Sequence, residues 1–286
     1  MDSNEIGLIS VIGAGQMGNG IAQVAAVAGF EVLLIDVKPE YLESGLSAIK
    51  SSLGKMVSKE KLSQADATQA EARIRTGLNL EAAVESDLVI EAIPEIPDLK
   101  FSTFSELDNL CAPHTILASN TSSISINAIA AHTERPANVI GMHFMNPVPL
   151  MKLVEIINGS ATEASVTAAV IAAAERMGKT ALCANDSPGF ISNRLLCPML
   201  NEAILSVQEG VAEPDAIDGI MKLGLNHPIG PLALADLIGL DTVLHIMQVL
   251  HAGFNDDKYE PAALLKQMVD AGQLGRKSGS GFYNYS

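Results

Sequence analysis

The chain has 286 residues, 48% of them hydrophobic, and no low-complexity segment. That is enough for two packed domains and excludes a disordered or fibrous protein. Lysine and arginine number 18 against 33 acids, a formal charge of −15, which argues against nucleic acid or an anionic membrane as a partner. Cys111, Cys183 and Cys197 match neither zinc spacing nor a disulfide framework, so reduced thiols in or near the core of a cytoplasmic protein are expected.

Ile6 to Ile12 is an apolar run suited to a buried strand. Its flank is acidic, with Asp2 and Glu5, and the uncharged stretch up to Glu31 is broken by Gly, Gln and Asn. It reads as neither a signal peptide nor a membrane span. Gly13-Ala14-Gly15-Gln16-Met17-Gly18 follows, then a helix from Asn19 to Ala28 and a strand from Glu31 to Ile35 ending on Asp36. This is the strand–turn–helix–strand setting of a dinucleotide site. Gly13 serves the tight turn, Gly15 the approach of a pyrophosphate, and Gly18 the packing of helix on strand. Asp36 stands 18 residues after Gly18, where a carboxylate accepts from the adenosine ribose.

Residues 39–58 and 63–75 read as helices. The second is a poor fit to an ordinary crossover, so the pair is expected to project as a hairpin over about 39–75. Strands are predicted over Asp87–Ile93, Thr115–Ser119, Val139–Phe144, Lys152–Ile157 and Lys179–Cys183, with Lys152–Ile157 antiparallel to the strand before it. Helices are predicted over Leu99–Leu110 and Thr162–Met177. The alternation specifies an α/β, Rossmann-type, mainly parallel sheet with helices on both faces. After Asp186-Ser187-Pro188-Gly189 almost only helical periodicity remains, which places a sheet domain at 1–186 and an all-helical domain at 187–286. Apolar faces in the latter, Ile204, Leu205 and Val207, Leu232, Leu234 and Leu237, Val243, Leu244 and Met247, would gain by pairing with a second copy.

A nicotinamide cofactor needs a partner that moves a proton while the hydride moves. His143 ends a predicted strand, at the sheet edge where ligands bind, and its imidazole can take a hydroxyl proton near neutral pH. Glu155, on the next strand after a Pro-rich turn, could return beside it and fix its tautomer; a surface His with an unrelated strand Glu is the alternative. Ser122 follows another strand, either at the site or as the N-cap of a helix starting near Ile124. Asn193 opens the helical domain, either reaching the cleft between domains or serving as an ordinary polar helix position. The remaining histidines, His114, His132, His227, His245 and His251, have no metal spacing, and no metal is expected.

Together these pieces resemble the short-chain-acyl branch of the 3-hydroxyacyl-CoA dehydrogenase family, over nearly the whole chain. The resemblance rests on the glycine turn, Glu91-Ala92-Ile93-Pro94-Glu95 with Lys100, Ser119 to Ser123, and His143 to Pro149. It continues through Met151 to Glu155, Ser187 to Asn193, Pro228 to Pro231, and Gly275 to Tyr283. It implies NAD as cofactor and an (S)-3-hydroxyacyl-CoA as substrate. His143 matches the family's catalytic base, Glu155 its carboxylate partner, and Ser122 and Asn193 the groups that hold the substrate oxygen. Gly13, Gly15, Gln16, Met17, Gly18, Asp36, Glu95, Lys100, Asn120, Ser122, Asn146 and Lys277 match cofactor contacts. Lys100 and Lys277 would also supply positive charge that an acidic protein needs there. Ser52 and Lys59 match positions that meet coenzyme A, and a homodimer through the helical domain is implied. Met145 stands where the family usually has Phe, and Ser280 where a charged residue is frequent. A dehydrogenase of free hydroxy acids and a non-catalytic NAD-binding relative stay open on the residues alone.

Overall fold

Strands that are apolar on both faces need cover on both faces, and the first two thirds of the chain supply it. A computed structural model describes residues 6–285, so Asp2 and Glu5 lie outside the described residues. β1 (Leu8–Ile12) leads through the glycine turn into α1 (Gln16–Val27), then β2 (Glu31–Ile35). α2 (Pro39–Ser58) and α3 (Gln64–Ala72) precede β3 (Ile74–Gly77). β4 (Leu88–Glu91), α4 (Pro97–Leu110), β5 (Ile116–Ser119), α5 (Ile126–Ala130) and β6 (Val139–Phe144) follow. β7 (Leu153–Asn158), α6 (Ala164–Arg176) and β8 (Thr180–Asn185) complete the sheet, whose order is β3-β2-β1-β4-β5-β6-β7-β8. Adjacent strands are parallel except β6 and β7, which are antiparallel. Strand order reverses between β1 and β4, the point where an open α/β sheet opens a crevice for a ligand.

The chain divides into a sheet unit ending at Asp186 and a helical unit beginning at Ser187. The helical unit holds α7 (Ser192–Gln208), α8 (Pro214–Leu225), α9 (Pro231–Ile238), α10 (Leu240–Phe254) and α11 (Ala263–Asp270). Its core is Leu200, Ile204, Leu232, Leu240, Val243, Met247, Leu250 and Leu265. α9 and α10 meet at 97°. No single described helix is long and apolar enough to cross a membrane.

Four expectations need correction. The helix predicted to Arg75 stops at Ala72, and Ile74–Gly77 is a strand paired in parallel with β2. Only Ile74 of its four residues is a large hydrophobe, so an edge strand of this kind carries no apolar signal. The hairpin does not project: α2 and α3 pack on α1, and Leu42, Ile49, Leu53, Ala67 and Ala70 join the sheet core. It is the crossover from β2 to β3. Cys111 and Cys197 are buried, and burial pushes the Cys197 thiol up to about 12, but Cys183 is exposed on β8. Finally, Ile204, Leu232, Val243 and Met247 form the helical unit's own core, while Leu237 stays exposed together with Leu195, Ile220, Leu223 and Leu225. Periodicity marks a face that needs burial without saying what buries it.

Candidate active site

The dinucleotide turn is fixed by backbone contacts that leave no room for side chains. Gly13 has φ +100°, and a Cβ there would stand 2.7 Å from the Ala92 carbonyl oxygen. A Cβ on Gly18 would stand 1.7 Å from the Gly13 oxygen. At Gly15, by contrast, a Cβ meets nothing within 4 Å, so the turn's outer face is open. No side chain caps α1 and no acid stands in its first turn, leaving an electropositive helix end for a pyrophosphate. The Asp36 carboxylate accepts from Ala14 N at 2.7 Å and from Val37 N at 2.7 Å, which aims it beside that turn. Val37 and Leu78, just beyond the ends of β2 and β3, are 79% and 53% exposed. These residues fit NAD.

The antiparallel step from β6 to β7 creates the reactive pair. His143 and Glu155 are direct partners in the ladder, and His143 Nδ1 lies 2.8 Å from Glu155 Oε2, with both residues buried. A ring whose Nδ1 faces a carboxylate presents Nε2 on the opposite side of the ring. Asn120 Oδ1 accepts from Phe144 N at 2.9 Å, tying the loop after β5 to the end of β6. Gln16 Nε2 donates to Asn146 Oδ1 at 3.2 Å, tying the turn after β6 to the start of α1.

Between these lies a charged knot. Glu91, fully buried at the end of β4, accepts from Lys100 Nζ at 2.5 Å, Ile93 N at 2.7 Å and Ser119 Oγ at 2.6 Å. Lys100 also pairs with Glu95 at 3.2 Å. Glu95 Oε1 accepts from Thr121 Oγ1, Ser122 N, Ser123 N and Ser123 Oγ, so one carboxylate gathers the loop that carries Ser122. Burial works to raise the Glu95 carboxyl, but Lys100 and these donors outweigh it and hold it below the usual carboxylate range. The N-cap of α5 is Ser125, accepting from Ala128 N, so that role does not fall to Ser122.

Gly13, Gly15, Asp36, Glu95, Lys100, Asn120, Ser122, His143, Asn146 and Glu155 therefore line one edge of the sheet unit. Ser52 stands on α2, and exposed Lys59 caps its C-terminus. A hollow of about 460 Å³ at the α2–α3 turn, walled by Val57, Lys61 and Asp66, includes none of the His143 site. Asn193 lies in the first turn of α7 and Lys277 near the chain's end, both in the helical unit. Both expected positive charges are paired with carboxylates, Lys100 with Glu91 and Glu95 and Lys277 with Asp241 at 2.6 Å. Glu91 carried no assigned role in the sequence, although a lone acid ending the run Leu88-Val89-Ile90 marks it. Among the described residues no group of three His, Cys, Asp or Glu is arranged to hold a metal ion.

A glycine-turn dinucleotide fold with a buried His–Glu pair at its ligand edge defines an NAD-dependent dehydrogenase. Residues 8–187 match the family described as 3-hydroxyacyl-CoA dehydrogenase, NAD binding domain, and residues 189–285 its C-terminal domain. A probable 3-hydroxybutyryl-CoA dehydrogenase of Bacillus subtilis is 58% identical over 281 residues, 98% of each chain. The 3-hydroxybutyryl-CoA dehydrogenase of Bradyrhizobium diazoefficiens is 51% identical, over 97% of this chain and 94% of that one. The crystal structure of (S)-3-hydroxybutyryl-CoA dehydrogenase from Ralstonia eutropha superposes with a TM-score of 0.96 at 49% identity, covering 99% of this chain and all of the other. The chain belongs to the 3-hydroxyacyl-CoA dehydrogenase family.

Proposed function

We propose that this chain interconverts (S)-3-hydroxybutyryl-CoA and acetoacetyl-CoA with NAD. The observation that carries the proposal is the His143–Glu155 pair, 2.8 Å apart on the same sheet edge as the glycine turn. Bound NAD supplies the hydride acceptor. His143 Nε2 removes the C3 hydroxyl proton as C3 loses its hydride, and the Glu155 carboxylate stabilises the imidazolium that forms. Ser122 and Asn193 orient the reacting oxygen and the thioester carbonyl. Glu95, Lys100, Asn120, Asn146 and Lys277 hold the cofactor, with Lys100 and Lys277 acting as hydrogen-bond donors already paired to carboxylates. Ser52 and Lys59 meet the nucleotide end of coenzyme A, the exposed ammonium of Lys59 acting as a mobile point charge.

Exposed Leu195, Ile220, Leu223 and Leu225 support a homodimer through the helical unit. The acidic balance and the buried thiols Cys111 and Cys197 support a cytoplasmic protein. The test follows NADH absorbance with purified protein and acetoacetyl-CoA. Loss of absorbance at enzymatic rates is expected. Turnover of free 3-oxo acids at equal efficiency, or none with the thioester, would overturn the assignment.

A further inference from the structure

Lys179 is a buried cation, 8% exposed, with no carboxylate within ion-pair distance among the described residues. It precedes β8, and its backbone N donates to the Ala174 carbonyl of α6. Its side chain reaches the turn between β6 and β7. There Nζ donates to the carbonyl oxygens of Val148 and, at 2.8 Å, Met151. Burial lowers the ammonium below the ordinary lysine value, so desolvation is paid against only these two carbonyls.

The turn so held joins the two halves of the site. Its first residues follow His143, its last lead to Glu155, and it carries Asn146. Two further contacts fasten it to the dinucleotide motif. Asn146 accepts from Gln16 at the first position of α1. One turn along, Val148 is buried so closely on α1 that a Cβ on Gly20 would stand 2.8 Å from its own Cβ. Lys179 fastens the opposite side, next to the point where Thr180 N donates to Lys152 O at 2.7 Å. Without the ammonium, two inward carbonyls lose their donor and the turn loses the fastening on the side away from α1.

We infer that Lys179 is a positioning residue of the hydride-transfer site, holding the β6–β7 turn so that Asn146 keeps its place against the cofactor. The inference rests on the proposed dehydrogenase reading and goes beyond it to a residue that touches neither substrate nor cofactor. It acts through Asn146, so its loss and the loss of Asn146 must not add.

The experiment measures kcat with acetoacetyl-CoA and the Kd of NADH for the wild type, Lys179→Met, Lys179→Arg, Asn146→Ala and the double variant Lys179→Met/Asn146→Ala. Displacement of a positioned group by a fraction of an ångström to 1 Å costs up to about 10²-fold, so Lys179→Met is expected to lose about 10- to 100-fold in kcat well below its melting temperature. Lys179→Arg should recover part of that loss, and the double variant should be no slower than the slower single variant. A Lys179→Met protein with a lowered melting temperature but unchanged kcat and NADH affinity would overturn the inference. Strictly additive losses would do so as well. Should Lys179→Met fail to fold, Lys179→Gln, whose amide still donates to one carbonyl, replaces it in the cycle. An inactive wild type would instead overturn the dehydrogenase reading, which keeps the two failures apart.

Discussion

Glu91 in the sheet unit and Asp236 in the helical unit are both fully buried carboxylates, yet their partners differ in kind. Glu91 faces the Lys100 ammonium, and the same ammonium reaches Glu95. The other buried acid of that unit, Glu155, faces His143. Asp236 pairs with no cation among the described residues. It accepts from Phe282 N, Tyr283 N and the Tyr285 hydroxyl, each at 3.0 Å. Buried Asp218 does likewise with Leu232 N, Ala233 N and the Tyr283 hydroxyl. Under the proposed function, the ion-paired acids sit around groups that carry protons and ligands. Acids held by backbone N–H groups fasten chain segments, here the end of the chain onto α8 and α9. On that proposal, buried charge marks chemistry in one unit and architecture in the other.

The largest expected effect tests the first half of that contrast. His143→Gln should lower kcat by about 10²–10⁴ while the NADH Kd stays within twofold of wild type, about the cost of losing a general base. Stopped-flow turnover and NADH fluorescence titration measure the two. A fully active variant would make the His143–Glu155 pair structural and erase the distinction between the units.

Asp236→Ala tests the second half. Removing the buried acceptor of three half-buried donors should cost about 2–3 kcal/mol of stability, seen in urea unfolding, and should open the C-terminal residues to carboxypeptidase. Gly281→Ala should act in the same direction, because its Cβ would stand 2.1 Å from Asp236 Oδ1. Unchanged stability and protection in both variants would show that packing of Phe282 and Tyr283, not the carboxylate, holds the tail.

Glu95 sharpens the contrast through pH. Its folded carboxyl lies below the ordinary value, so its contribution to stability is complete above the usual carboxylate range and is lost as pH falls through the lower folded value. The stability difference between wild type and Glu95→Gln should therefore be largest near about pH 6 and shrink toward about pH 3. A difference that stays constant across that range would detach Glu95 from Lys100.

The sheet was legible wherever both faces of a strand are covered, because Leu88-Val89-Ile90 or Val139 to Phe144 can belong to nothing else. The half-exposed edge strand Ile74–Gly77 was not, since no apolar run is needed at an edge. The His143–Glu155 pair was legible because a short Pro-rich turn returns the chain beside itself, fixing 143 opposite 155. The partners of the lysines were not. Lys277 finds Asp241 and Lys179 finds Val148 only through tertiary packing, and no local pattern in the sequence records either contact. The same holds for Asp218 and Asp236, whose donors come from α9 and the last residues of the chain.

The smallest expected effect lies in that last group. The Tyr283 hydroxyl donates to Asp218 Oδ2 at 2.9 Å. Burial raises its pKa first, and the hydrogen bond and charge of Asp218 add to it, with Asp215 and Tyr285 contributing. A phenol raised in the fold stabilises it fully below the ordinary tyrosine value, and that contribution is lost as pH rises through the folded value. Tyr283→Phe should cost only about 0.5–1 kcal/mol at neutral pH, the low end for a hydrogen bond to a charged acceptor, because the ring is half-exposed and solvent screens it. Urea unfolding of both proteins at about pH 7 and about pH 11 isolates the effect, since every other tyrosine is shared between them. Wild type's advantage should shrink at the higher pH, which lies inside the window between the unfolded and folded values. An advantage that persists there undiminished would mean that Asp218 holds Leu232 and Ala233 alone, and that the tail is fastened to the helical unit by Asp236 without help from its neighbour.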